Sequence, residues 1–320
     1  MLRITHRVSV VLAIVVTTIF LACGSGSSSQ SETAAENTAA APTPAVRSLY
    51  PLTVPAGEGR SVTFTRAPQR IVSLSPGATE VLFAIGAGGQ VIGTDRFSDY
   101  PEAAKTLPKL EYTNTNIEAL VALRPDLVVA AGRQRSLVPV FEQAGLTVLP
   151  MEEPNSIAGV IDRVRMMGQI TDHAADAEDL ASNLEGRVAA VTEKVASVTA
   201  GPRVYHEVDP KLYAAAPNSF VGDVYTVLKA QNIVPAGDNP YPQISAESII
   251  SADPEVIIAG SRLPESAPAE VKRRPGWNVV SAVKNDRIYE VEDNLISRPG
   301  PRVVDALEQL ARQIYPDRFR

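Results

Sequence analysis

Two periods of hydrophobicity alternate along most of this chain. Short apolar runs such as IVSL, VIGT, LVVAA, TVLP, VIIAG and RIYEV read as buried strands. Between them apolar residues recur every three to four positions, and Ser, Asn or Pro stands where each helix starts. In RIVSLSPGATEVLFAIGAG, the strand IVSL runs into Ser75 as N-cap and Pro76 as first helical residue, with Gly86 placed to end the helix. A strand that ends at a helix N-terminus brings free backbone N–H groups to the C-terminal edge of a sheet, where α/β proteins bind ligands. Strands alternating with helices predict an α/β fold with mainly parallel sheets.

The pattern occurs twice. NIEALVALRPDLVVAAGR (residues 116–133) and SAESIISADPEVIIAGSR (residues 245–262) match at a constant offset of 129. Glu118 pairs with Glu247, Pro125 with Pro254, Ala130 with Ala259 and Arg133 with Arg262. Tyr112 and Tyr241 each stand six residues before the glutamate. Each copy reads as an N-cap (Asn116 or Ser245), a short helix, a Pro-Asp or Pro-Glu break and a buried strand. A unit repeated at such long spacing predicts two similar lobes with a cleft rather than a solenoid, whose repeats are contiguous.

Residues 156–199 are helical in pattern, with Gly168 the weakest point. Ala177, Leu180, Ala181, Leu184, Val188, Val191 and Val195 form an apolar stripe, acids cluster early, and Lys194 lies late. A helix of about 25 residues between two strand-rich blocks reads as a rigid connector; the alternative is a helix packed wholly on one lobe. YPLTV and RSVTFTRAPQR read as an edge hairpin before the first lobe. DRFSDYP is a loop exposing Phe97 and Tyr100, and NLISRPGPR is a breaker-rich loop before a closing helix over 303–315.

Composition adds a compartment. The chain has 320 residues, room for two domains, and a net charge of −6, which argues against an extended nucleic-acid surface. Residues 1–22 read as a signal peptide: Arg3 and Arg7 precede an apolar run too short for a membrane span. The only cysteine, Cys23, follows at once in FLAC, which resembles a bacterial lipoprotein cleavage box; the alternative is an ordinary signal peptide with an incidental cysteine. Lipidation of Cys23 would hold the protein at a membrane without spanning it and leave no thiol for catalysis, disulfides or metal. Residues 23–49 are Ser-, Ala-, Thr- and Pro-rich and read as a disordered tether. The remaining boundaries are an N-terminal lobe over 50–152, connector helices over 153–200 and a C-terminal lobe over 201–320.

Candidate chemistry is sparse. Of three histidines, His6 leaves with the signal peptide, and His173 and His206 are isolated. There is no HExxH, CxxC, GxSxG or Walker loop, so neither an enzyme nor a protein-built metal site is expected. One glutamate in a first helical turn is usually just solvated. Two at equivalent places, Glu118 and Glu247, suit docking onto paired arginines of a two-fold partner. Phe97, Tyr112 and Tyr241 read either as half-buried loop aromatics or as flat cleft walls for a bulky ligand. Arg298 reads either as a surface salt bridge or as a recognition point for a carboxylate or phosphate.

From Arg70 to about Pro316 the chain resembles the metal-chelate class of ABC-importer substrate-binding proteins, which bind cobalamin, ferric siderophores or haem. The marks are RIVSLSPGATEVLFAIGAGGQVIGTDRFSDYP, NIEALVALRPDLVVAAG, YPQISAESIISADPEVIIAG and the SRPGPR-helix, and the likeness is greatest to the cobalamin-binding members. The resemblance implies two α/β lobes, each a mainly parallel sheet flanked by helices, joined by one long rigid helix. It implies a ligand between them and no catalysis. Glu118 and Glu247 match the permease-docking acids, and Phe97, Tyr112 and Tyr241 the pocket aromatics. Tyr205 and Tyr213, in VYHEVDPKLYAAAPNSF on the second lobe's rim, and Asn294 are further pocket candidates. Cobalamin binders often have tryptophan at Tyr112 and Tyr241 and acids near Asn294 and Ser297; with Arg298, SRPGPR would also suit an anionic chelate. The expectation is therefore a monomeric, lipid-anchored extracytoplasmic receptor delivering a corrinoid to an ABC permease dimer. A ferric siderophore or haem is the alternative cargo, and an extracytoplasmic enzyme or sensor the more distant one. No resident cofactor is expected, since the chelate brings its own metal.

Overall fold

The computed structural model describes residues 49–57, 59–260 and 266–320. The signal segment, Cys23, the tether as far as residue 48, and Arg262 of the second repeat lie outside the described residues.

A hairpin of β1 (Leu52–Pro55) and β2 (Ser61–Phe64) leads in, as YPLTV and RSVTFTRAPQR predict. The first lobe then runs β3 (Ile71–Leu74), α1 (Pro76–Ala84), β4 (Val91–Asp95), α2 (Glu102–Lys105), β5 (Lys109–Leu110), α3 (Ile117–Ala122), β6 (Leu127–Ala131), α4 (Val138–Gln143) and β7 (Val148–Met151). Its five strands are all parallel, in the order β5-β4-β3-β6-β7. Helices α5 (Ile157–Thr171) and α6 (Ala174–Lys194) follow.

The second lobe runs β8 (Arg203–Asp209), β9 (Tyr213–Ala214), α7 (Phe220–Val227), β10 (Gln231–Asn232), α8 (Ala246–Ala252), β11 (Val256–Gly260), α9 (Ala267–Arg273), α10 (Ser281–Lys284), β12 (Ile288–Val291), α11 (Asp293–Ser297) and α12 (Val303–Ile314). Strands β10-β8-β11-β12 are parallel, and the short β9 pairs antiparallel with β8.

The repeat falls on equivalent places. Strand β6 lies between β3 and β7, and β11 between β8 and β12. Every residue of β6 and of β11 is buried, which is why both read as unbroken apolar runs. The helix starts follow the sequence too. Asn116 accepts from the Ala119 N–H at 2.9 Å, Ser245 from the Ser248 N–H at 3.1 Å, and Ser75 from the Ala78 N–H at 3.3 Å. Gly86, at φ 86°, closes α1.

Two expectations change. The connector is the pair α5 and α6, of which α6 is the long helix, 21 residues. It breaks at Asp172 (φ 64°) and His173, whose N–H donates to the Gly168 carbonyl at 2.8 Å. Gly168 is not the weak point but the contact point, since a Cβ there would stand 2.2 Å from the Ala177 Cβ of α6. The first four residues of NLISRPGPR, 294–297, belong to the short helix α11 (Asp293–Ser297) before the breakers begin.

The core shows how the lobes are joined. One buried cluster takes the inner faces of both sheets (Ile71, Leu127, Val129; Val204, Val256, Ile258), the connector (Val160, Val164, Met167, Ala177, Leu184) and α12 (Val304, Leu307). Separate clusters fill the outer faces: Val72, Leu120, Val128 and Phe141 in the first lobe, Ile249, Ile257, Trp277 and Val280 in the second. The predicted α6 stripe is the buried face, with Ala177, Ala181, Leu184, Val191 and Val195 all buried. Arg187 of α6 reaches Asp305 at 2.7 Å and Glu308 at 2.8 Å on α12.

Candidate functional site

In a parallel sheet the loop after each strand opens at the sheet's C-terminal edge, and the next helix begins there. In this molecule those loops from both lobes meet around a pocket of about 370 Å³. Lobe one gives Pro76 and Gly77 after β3, Phe97 after β4, Tyr112 after β5, and Glu153 and Pro154 after β7. Lobe two gives Phe220 at the start of α7, Tyr241 before α8, and Ser297, Arg298 and Pro299 after α11. A larger hollow, about 610 Å³, shares Glu153 and Pro154 with this pocket and has no aromatic residue among its described walls. The smaller pocket suits a flat ligand better, because rings from both lobes line it.

Phe97 is half exposed and meets Tyr112 edge to face, ring centres 5.5 Å apart. Burial, together with the carboxylates of Glu153 and Asp95, pushes the Tyr112 hydroxyl up from its ordinary range; burial does the same for Tyr241. Both phenols therefore stay protonated at neutral pH and can donate a hydrogen bond.

The floor is ionic. Arg302 grips Glu80 with two hydrogen bonds of 2.6 and 2.9 Å and lies 3.8 Å over the Tyr100 ring. Arg298 donates to Asp99, and its guanidinium is 3.9 Å from Glu80. Burial raises the Glu80 carboxyl in spite of Arg302, whereas the hydrogen bond from Arg298 holds Asp99 low. Glu153 accepts from the Ser75 hydroxyl at 3.1 Å and from buried Arg163 at 3.0 Å. Arg163 also donates to the Glu152 carbonyl at 2.6 Å.

The structure therefore brings Phe97, Tyr112, Tyr241 and Arg298 to one pocket. Arg298 does so with its charge already engaged, so the reading of it as a free anion-recognition point is corrected to an inter-lobe bridge. Tyr205 is corrected outright. It points to the outer face of its sheet, fully buried, with its ring 6.2 Å from Trp277 and its hydroxyl donating to Glu207 at 3.1 Å. Alternation along β8 puts it out of phase with the cleft. Tyr213 is exposed on β9 and Asn294 half-buried on α11, and neither is on the pocket wall. Glu118 and Glu247 are exposed in the first turns of α3 and α8, each at the C-terminal edge of its own sheet. Backbone N–H and Ser245 hold the Glu247 carboxyl below its usual range. The sequence reading missed Glu153, Phe220 and Gly77. Glu153 had one signal, its place just after a buried parallel strand. Among the described residues no three His, Cys, Asp or Glu side chains are grouped to hold a metal ion.

A family model described as periplasmic binding protein matches residues 71–295. The chain belongs to the periplasmic binding protein family. This periplasmic binding protein is 30% identical over 280 residues to an uncharacterised ABC transporter substrate-binding lipoprotein, YvrC, of Bacillus subtilis, covering 85% of this chain and 88% of the relative. It is 31% identical over 278 residues to a cobalamin-binding protein of Halobacterium salinarum, covering 83% of this chain and 74% of that one. A solved haem-binding protein from a Roseiflexus species superposes with a TM-score of 0.69 at 26% identity, covering 79% of this chain and 99% of that one. The protein is an ABC transporter substrate-binding protein of the cobalamin, siderophore and haem class, a family of transport proteins rather than enzymes.

Proposed function

We propose that this protein is a lipid-anchored receptor that carries a corrinoid to an ABC permease on the outer side of a membrane. The observation that carries the cargo reading is the pocket itself: aromatic rings from both lobes on its wall, and a wall arginine, Arg298, that is already paired, with Arg163 and Arg302 behind it paired too. Rings offer flat apolar contact to a macrocycle, and committed guanidiniums offer little to an anion. A pocket of about 370 Å³ grips one edge of so large a ligand and leaves the rest in the open groove. The likeness to a cobalamin-binding protein supports this choice, and a relative named as a lipoprotein supports the reading of Cys23.

Glu118 and Glu247 are the proposed permease contacts, one from each lobe, exposed at equivalent helix starts. Charge complementarity of this kind governs docking more than cargo affinity.

Titration of the purified protein with cobalamin, haem and several ferric siderophores tests the cargo. Micromolar or tighter binding of cobalamin alone supports the reading, and binding of haem or a siderophore in its place overturns it. Tyr112→Ala and Tyr241→Ala are expected to weaken cargo binding about tenfold or more while the fold survives. Glu118→Ala with Glu247→Ala should leave binding intact and abolish uptake; normal uptake would remove the docking role.

A further inference from the structure

Resting on the corrinoid reading, we infer that Glu153 sets the charge of the cargo this pocket accepts. Its carboxylate takes hydrogen bonds from amide N–H groups on the rim of the chelate and repels chelates whose rim carries carboxylates.

Glu153 is the one carboxylate on the pocket wall among the described residues. It is not a loose surface acid. The Ser75 hydroxyl donates to Oε1 at 3.1 Å and the Arg163 guanidinium to Oε2 at 3.0 Å. Ser75 and Arg163 are both buried, so the carboxylate is aimed by groups that cannot swing away. Each of its oxygens can accept a further hydrogen bond. A third of the side chain is exposed, and Tyr112 across the pocket feels its charge. A ligand edge seated between Tyr112 and Tyr241 would bring its polar rim to these oxygens.

The ionic balance around the pocket points the same way. Glu80, Asp99 and Glu153 face Arg163, Arg298 and Arg302, and each of those guanidiniums already holds an acid. An incoming carboxylate finds no uncommitted cation on the wall, and at Glu153 it meets oxygens that, like its own, can only accept. An incoming amide finds an acceptor that still has capacity. Discrimination built from an attractive group and a repulsive one on the same residue is strong. Arg133 is exposed in an adjoining recess with Thr113 and Ser136; its charge also reaches the Tyr112 hydroxyl, but less strongly than that of Glu153, and so offsets it only in part.

The test compares two probes on the unaltered protein by calorimetry: cobinamide, with its side-chain amides, and the same corrin with those amides hydrolysed to carboxylates. The amide form should bind about tenfold or more tightly. Glu153→Gln keeps one acceptor oxygen for Arg163, with the Ser75 hydroxyl turning to accept from the new amide; it removes a charge partner of buried Arg163 and is expected to melt below the parent, so both are compared well below the variant's own melting temperature. It should narrow the gap to about twofold, chiefly by improved binding of the carboxylate form. Equal affinity of the unaltered protein for the two corrins overturns the inference, as does an undiminished preference in the variant; either result leaves the corrinoid reading standing. Failure of the unaltered protein to bind either corrin, with haem or a ferric siderophore bound instead, overturns both.

Discussion

Glu80 and Arg302 are far apart in sequence yet meet in two hydrogen bonds, with Glu80 3% exposed at its side chain. A pair so buried is worth little over an apolar pair, but half of it is costly, because the surviving charge has no partner. Glu80→Ala is therefore expected to lower stability by about 3–5 kcal/mol in urea unfolding, and Glu80→Ala with Arg302→Ala by less than the two single losses together. His206 gives a pH dependence. It is fully enclosed, 2.5 Å from the Tyr225 hydroxyl, and burial pushes its pKa down to about 3 from an ordinary 6.5. The unfolded chain takes up this proton first as pH falls. The stabilising effect is complete above pH 6.5 and is lost progressively towards pH 3. Chemical denaturation of the parent should show stability falling from pH 6.5 to about 5, above the usual carboxylate range, and His206→Gln should flatten that slope. Neither residue was legible in the sequence. His206 looked isolated and Glu80 was one acid among many, since burial and a distant partner are properties of the fold.

At the scale of elements, the sequence showed what is local. Caps at Ser75, Asn116 and Ser245 and the stripe on α6 were readable because they depend on neighbours within a few turns. The place where the connector splits was not. The chain turns at Asp172 in a left-handed conformation usually given to glycine, and helical signals continue on both sides. Gly168 looked like a flaw because its role lies in the neighbouring helix, where Ala177 leaves no room for a side chain. Gly168→Ala should push α5 and α6 apart and cost about 1–3 kcal/mol. Gly186→Ala on α6, which meets nothing within 4 Å, should instead raise stability by about 0.5–1 kcal/mol. Measuring both melting temperatures separates helix propensity from packing. The candidate site was half legible for the same reason: Tyr112 and Tyr241 stood out through the repeat, whereas Tyr205 failed on strand phase, which sequence alone left undetermined.

For the whole molecule, the repeat disclosed two lobes but not what binds them together. The main core runs from one sheet through α5 and α6 to the other, so neither lobe has an inner face of its own to fold around. The described residues should consequently unfold in one cooperative transition, with calorimetric and van't Hoff enthalpies equal. Two resolved transitions would show lobes of separate stability.

At the base of the groove the lobes already touch, main chain to main chain. A Cβ on Gly77 would stand 2.4 Å from the carbonyl oxygen of Pro299. That contact is a mechanical stop: the jaws cannot close further at their root, and any closure must pivot about it. The thickness of what the groove admits is thus gauged by backbone, before any side chain reads its chemistry.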